Sequence, residues 1–144
     1  MKPSKGIIKE HDLVIYPLRF TIAIGDVEKE VNAKYEPYDG IHNYVGAPKP
    51  PAIATTYNVR NRETKDACLM IWVPSIEDCT SEITTHECNH AALEIFKRTG
   101  AKVDVDNQEP FCYLSGALSR LFSNTAQEVL KPKSPTKPIK PKKK

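Results

Sequence analysis

His86, Glu87 and His90 fall within five consecutive positions, His86-Glu87-Cys88-Asn89-His90, in a chain that has only four histidines. On a helix, residues four apart are separated by about 40° around the axis, so the two imidazoles aim at one point and Glu87 lies close beside them. Two neutral nitrogen donors and an adjacent carboxylate are the parts of a zinc site with its general base. The plainer arrangement of the same residues is a surface helix with an i,i+4 histidine pair and an exposed glutamate. The composition between Ile83 and Leu93 favours the metal reading, because the motif supplies its only charged or imidazole side chains and threonine, cysteine, asparagine and alanine fill the rest.

Two ligands do not close a catalytic zinc site, which takes a third protein donor and leaves a fourth position to water. Glu94, Asp104, Asp106, Glu109 and Glu128 are the downstream candidates. Glu109 is the best placed, since it opens a helix that can pack antiparallel on the first after a short connection. Asp106-Asn107-Gln108-Glu109 is also a capping-box spacing, in which Glu109 satisfies only a backbone N–H. Glu94, four residues after His90, is equally suited to hydrogen bonding an imidazole from behind. Tyr113, one turn beyond Glu109, could reach a developing oxyanion, or could bury its ring and leave its hydroxyl wet. His11 and His42 are free to approach the site, although nothing in their spacing requires it.

The elements that must hold these residues can be read from the pattern. Leu13-Val14-Ile15-Tyr16 and Phe20-Thr21-Ile22-Ala23-Ile24 suggest two strands, and residues 27–35 a weaker hairpin partner interrupted by Glu28-Lys29-Glu30. Pro37, Gly40, Gly46, Pro48, Pro50 and Pro51 make residues 36–51 a loop of functional length. Residues 53–59 and 67–73 follow as two more strands. Ser75 is the expected cap of the motif helix, and Gly100, after Lys97-Arg98, its stop. Ile76, Ile83 and His90 recur every seven residues, which predicts that both histidines lie on the inward-facing stripe. Asp106 or Asn107 is expected to cap a second helix that has Glu109-Pro110 in its first turn and runs to about Leu130. The expected class is α+β, a small N-terminal antiparallel sheet followed by two packed helices carrying the metal site.

Ile83-Thr84-Thr85-His86-Glu87-Cys88-Asn89-His90-Ala91-Ala92 resembles the active-site helix of zincin metallopeptidases. Gln108-Glu109-Pro110-Phe111-Cys112-Tyr113-Leu114 resembles the glutamate-bearing helix of the gluzincin branch. With Ile15-Tyr16-Pro17, the whole is similar to small phage and prophage proteins of the same pattern. The resemblance implies Zn²⁺ on His86, His90 and Glu109, with Glu87 as general base and peptide hydrolysis through a zinc-activated water. It further implies that a strand upstream of the helix, here residues 67–73, holds the substrate backbone. No third histidine or Met-turn places the chain in the metzincin branch.

Composition bounds the rest. A chain of 144 residues is about one domain, expected to span 1–130. The net charge of +3 is uneven: seven of the 21 basic residues lie at 131–144, leaving 14 against 18 acidic residues in 1–130, a body of −4. Pro132, Pro135, Pro138 and Pro141 recur every third residue, so 131–144 reads as an extended, disordered lysine- and proline-rich tail. Such a tail, without aromatics, is expected to give no more than weak contact with nucleic acid. No apolar run spans a bilayer and the N-terminus lacks a signal-peptide core, so a cytoplasmic protein is expected, in the host cytoplasm if phage encoded. Cys68, Cys79, Cys88 and Cys112 form no C-x-x-C pair and should be free thiols behaving as small hydrophobes. The expected partner is a peptide or protein substrate. The rival from a different class is a catalytically silent zinc-binding protein that acts through protein interaction.

Overall fold

The computed structural model describes residues 6–131, so the tail expected at 131–144 lies outside the described residues apart from Lys131. The order is β1 (Ile7–Asp12), β2 (Arg19–Ile24), α1 (Glu28–Lys34), β3 (Tyr35–Pro37), β4 (Thr55–Asn61), β5 (Ala67–Val73), a 3-10 turn (Ile76–Asp78), α2 (Ser81–Thr99) and α3 (Glu109–Leu130). The class is α+β, with three helices among the described residues where two were expected. The sheet is mixed, not antiparallel. Its order is β1-β2-β5-β4-β3, and β2 and β5 run parallel while every other pair is antiparallel. A parallel pair needs a long crossover, and α1, β3 and β4 supply it.

β5 is the centre of the sheet, fully buried from Cys68 to Val73. A strand covered on both faces reads as one apolar run, which is why Cys68-Leu69-Met70-Ile71-Trp72-Val73 does not alternate. Leu69, Ile71 and Val73, with Phe20, Ile22 and Ile24 of β2, pack under α2 and α3. Cys68, Met70 and Trp72 point the other way, against Val31, Tyr35 and Val45. Each fully buried side chain of this size stabilises the fold by roughly 1.5–3 kcal/mol.

Three expectations are corrected here. Residues 28–34 form α1, not a hairpin strand: Val27, Val31 and Tyr35, at its two ends and its middle and all buried, recur every fourth residue and make one helical stripe. The first strand lies earlier than the run Leu13-Val14-Ile15-Tyr16, which is a bend. There Asp12 Oδ1 accepts from the Val14 N–H at 2.9 Å, Val14 has φ of 55°, and Val14 and Ile15 are 86% and 80% exposed. Ser75 precedes only the 3-10 turn; α2 is capped by Thr80, whose Oγ1 accepts from the Ile83 N–H at 3.3 Å. The far end of α2 is as expected, with Gly100 at φ 73°, a left-handed cap that glycine adopts without strain.

α3 starts at Glu109 with no side-chain cap, so the capping box from Asp106 is not formed; Asp104 Oδ1 accepts from the Asp106 N–H instead. Ser115 Oγ donates to Asn89 Oδ1, and the Phe96 and Phe111 rings meet edge to face at 5.9 Å. These contacts set α3 antiparallel to α2. The loop at 38–54 is irregular, as its prolines and glycines require. Paired bonds between Asn32 and the Val45 backbone, at 2.7 and 2.8 Å, and Tyr57 Oη donating to the Gly46 carbonyl at 2.7 Å, pin it over the α1 face of the sheet. All four cysteines are free; Cys68 and Cys88 are buried, whereas Cys112 is exposed and so is not the packed hydrophobe its neighbours suggested. No helix among the described residues is long and apolar enough to cross a membrane.

Candidate metal centre and cleft

α2 buries Thr84, Glu87, Cys88, Ala91, Ala92, Ile95 and Phe96. His86 and His90 lie outside that arc and are exposed, which corrects the inward stripe expected for them. The buried arc is centred on Cys88 and Ala91, and at about 100° per residue His86 and His90 lie roughly 170° and 130° around the axis from that centre. Their Nε2 atoms nonetheless converge to 3.1 Å, with ring centroids 4.7 Å apart and planes at 78°. Zinc bound to nitrogen at 2.0–2.1 Å in tetrahedral geometry separates two ligands by about 3.3–3.4 Å, so the imidazoles need only a few tenths of an ångström to share one ion. A direct N–H···N hydrogen bond is the other use of the same separation.

Glu87 points into the protein, 6% exposed. Thr56 Oγ1 of β4 donates to Glu87 Oε2 at 2.7 Å, with the Glu87 carbonyl 3.2 Å from the same hydroxyl. One wall of the resulting cleft, about 330 Å³, is β4 with Thr56 and Asn58, and the other is α2 with Glu87, His90 and Glu94. A carboxylate fixed by a hydroxyl in the wall of a cleft can hold a proton taken from a water there.

The strand that borders the cleft is β4, not residues 67–73. β5 is paired along its length by β2 and β4 and has no free edge to offer a substrate. β3 covers β4 only at Val59, Arg60 and Asn61, and the Tyr38 N–H donates to the Asn58 carbonyl at 3.0 Å. Thr55, Thr56 and Tyr57 therefore present an open edge among the described residues. Because ladder bonds alternate in direction along an antiparallel strand, Thr56 turns its N–H and C=O to the same open side as Asn58.

The remaining sequence candidates are not brought to the histidines. Among the described residues no three His, Cys, Asp or Glu side chains stand together as a metal-holding group. Glu109 is exposed at the first turn of α3. With Phe111 against Phe96 and Ser115 beside Asn89, it lies next to the last turn of α2, roughly 8–12 Å along the axis from His90. Asp104 and Asp106 are exposed in the connection, and Glu128 pairs with Lys9. Tyr113, 75% exposed, lines a different groove, with Leu13, Tyr16 and Leu114, and is not part of the cleft wall. That placement corrects its oxyanion role: Tyr113 borders the groove beside the β1–β2 bend and not the cleft lined by Glu87 and His90. His42 is bonded to Asp39 at 2.9 Å in the 38–54 loop, and His11 sits on β1 near Phe20.

Sequence reasoning overlooked Thr56, Asn58, Arg98 and Tyr38. Arg98 Nη2 donates to Asn58 Oδ1 at 2.6 Å, and its guanidinium carbon lies 4.5 Å from the Tyr38 ring. Only the polar alternation Thr56-x-Asn58 in a strand hinted at a second wall. No family model, curated protein or solved structure matches this chain.

Proposed function

We propose that this protein is a zinc-dependent peptidase in which His86 and His90 hold the metal and Glu87 is the general base. The observation that carries the reading is the 3.1 Å convergence of the two Nε2 atoms beside a buried, hydroxyl-bonded glutamate at an open strand edge. Zinc, when bound, supplies Lewis acidity to a water and to the carbonyl attacked. The rest belongs to the chain. At the edge of Thr55, Thr56 and Tyr57, the outward N–H and C=O of Thr56 give an extended peptide backbone its hydrogen bonds, in the manner of strand addition. Glu87 takes a proton from the attacking water as the carbon–oxygen bond forms. The same carboxyl passes that proton to the leaving nitrogen as the carbon–nitrogen bond breaks. Thr56 holds Glu87 through one oxygen.

Glu109 remains the proposed third donor. It makes no hydrogen bond or ion pair among the described residues, and zinc binding through it requires the first turn of α3 to approach His90. The test is zinc content and peptide cleavage in wild type, Glu87→Gln and Glu109→Gln. The peptidase reading expects Glu87→Gln to keep its metal and lose turnover, and Glu109→Gln to release zinc to a mild chelator at least about tenfold sooner than wild type. Zinc binding without cleavage in wild type supports the rival, a silent zinc-binding interaction protein. Unchanged chelator kinetics in Glu109→Gln shows that another donor completes the site.

A further inference from the structure

The cleft is open at one end and shut at the other. Along β4 the free edge ends at Asn58, whose carbonyl is already taken by the Tyr38 N–H at 3.0 Å. Beyond it β3 occupies the edge through Val59, Arg60 and Asn61. The closure is braced from α2: Arg98 bonds the Asn58 side chain at 2.6 Å and stacks on Tyr38 at 4.5 Å. A chain lying on Thr55, Thr56 and Tyr57 therefore cannot run on past Asn58.

A carboxylate stands at that shut end. α2 follows β4 from the Glu87–Thr56 bond to the Arg98–Asn58 bond, which puts Glu94 on the Asn58 side of the cleft. Its side chain is 25% exposed, and its ion pairs are long, 3.5 Å to Arg98 Nε and 4.0 Å to Lys97 Nζ. The one short bond of Arg98 goes to Asn58, not to Glu94. The Glu94 oxygens thus retain capacity for strong donors, and an ammonium group offers three.

Direction and reach follow from the strand. β4 pairs antiparallel with both of its neighbours, and a third chain continuing the line of β3 would run the same way as β3, with its amino end at Asn58. One turn of helix from His90 to Glu94 is about 6 Å, close to the 6.6–6.8 Å of two extended residues. Resting on the peptidase reading above, we propose that the cleft takes the free amino terminus of a peptide, with Glu94 receiving its ammonium group, so that cleavage falls at the first or second peptide bond. The protein is then an exopeptidase of the amino end, and Glu94 sets its specificity.

The experiment compares zinc-loaded wild type and Glu94→Gln on one peptide in three forms: free amino terminus, acetylated terminus, and acetylated with an internal lysine. Cleavage sites are read by mass spectrometry. Wild type is expected to cut the free form at bond one or two, and to prefer it over the acetylated form by about a hundredfold in kcat/KM. In Glu94→Gln that ratio should collapse by about tenfold or more, chiefly through KM, with zinc content unchanged. Direct binding of the free and acetylated forms to zinc-loaded Glu87→Gln gives the same preference without turnover. Equal cleavage of free and acetylated forms, internal cleavage, or preference for the lysine-containing acetylated form overturns the amino-terminus assignment and leaves the peptidase reading standing. No cleavage of any form by zinc-loaded wild type overturns both.

Discussion

Replacing Thr56 with valine removes the hydroxyl that holds Glu87 and keeps the shape of the side chain. The lost bond, 2.7 Å to a glutamate that is 6% exposed, is one to a charged acceptor shielded from water. Bonds of that kind contribute about 1.5–3 kcal/mol, and leaving the acceptor unpaired carries the penalty in full. The unfolding entropy is about 2 cal/mol/K per residue, which for the roughly 130 residues described makes a loss of 2 kcal/mol equal to about 7–8 °C in Tm. Calorimetry of Thr56→Val should show that drop, and Thr56→Ser, which keeps the hydroxyl, should recover most of it. The double variant with Glu87→Leu supplies the coupling: once the carboxylate is gone, Thr56→Val should cost well under 1 kcal/mol. If Thr56→Val melts within about 1 °C of wild type, or its cost is the same with and without the Glu87 carboxylate, the hydroxyl does not position the base.

Two other predictions concern titration and reactivity. Burial, with Lys9 nearby, holds the His11 imidazole below its usual range, Glu128 opposing in part, and its Nε2 is buried without a partner. A histidine depressed in the fold binds fewer protons than in the unfolded chain, so its contribution to stability is present above about pH 6.5 and lost as pH falls toward the folded value. His11→Leu should flatten the loss of Tm between pH 7 and pH 5; an unchanged slope contradicts the assignment. Burial also pushes the Cys68 thiol up to about 12 and the Cys88 thiol up to about 11, while Cys112 is exposed. A thiol reagent at pH 7.5 should therefore modify Cys112 in the native protein and reach Cys68 and Cys88 only on unfolding, as peptide mapping would show.

How much of this was legible in the sequence depended on whether the signal was local. β5 could be read end to end because a central strand is apolar at every position, and Gly100 marked the end of α2 because a left-handed cap calls for glycine. α1 was hidden by Glu28-Lys29-Glu30, although Val27, Val31 and Tyr35 carry the helical period. The parallel pairing of β2 with β5 joins residues far apart in sequence, so no periodicity reports it. The histidine spacing gave the convergence of the two imidazoles but not their exposure, since that depends on which arc of α2 the sheet covers. Thr56 and Arg98 belong to the site only through the β4–α2 contact. The open edge of β4 depends on where β3 stops, and β3 is three residues long.

The most direct test of the zinc site is metal content after equilibration with zinc and gel filtration, in wild type, His86→Ala, His90→Ala and, as a control, His42→Ala. Wild type and His42→Ala should retain about one zinc per chain, and each α2 variant should lose it together with the metal-dependent rise in Tm. Zinc retained equally by all four proteins, or by none of them, would contradict the assignment of His86 and His90 as the metal ligands.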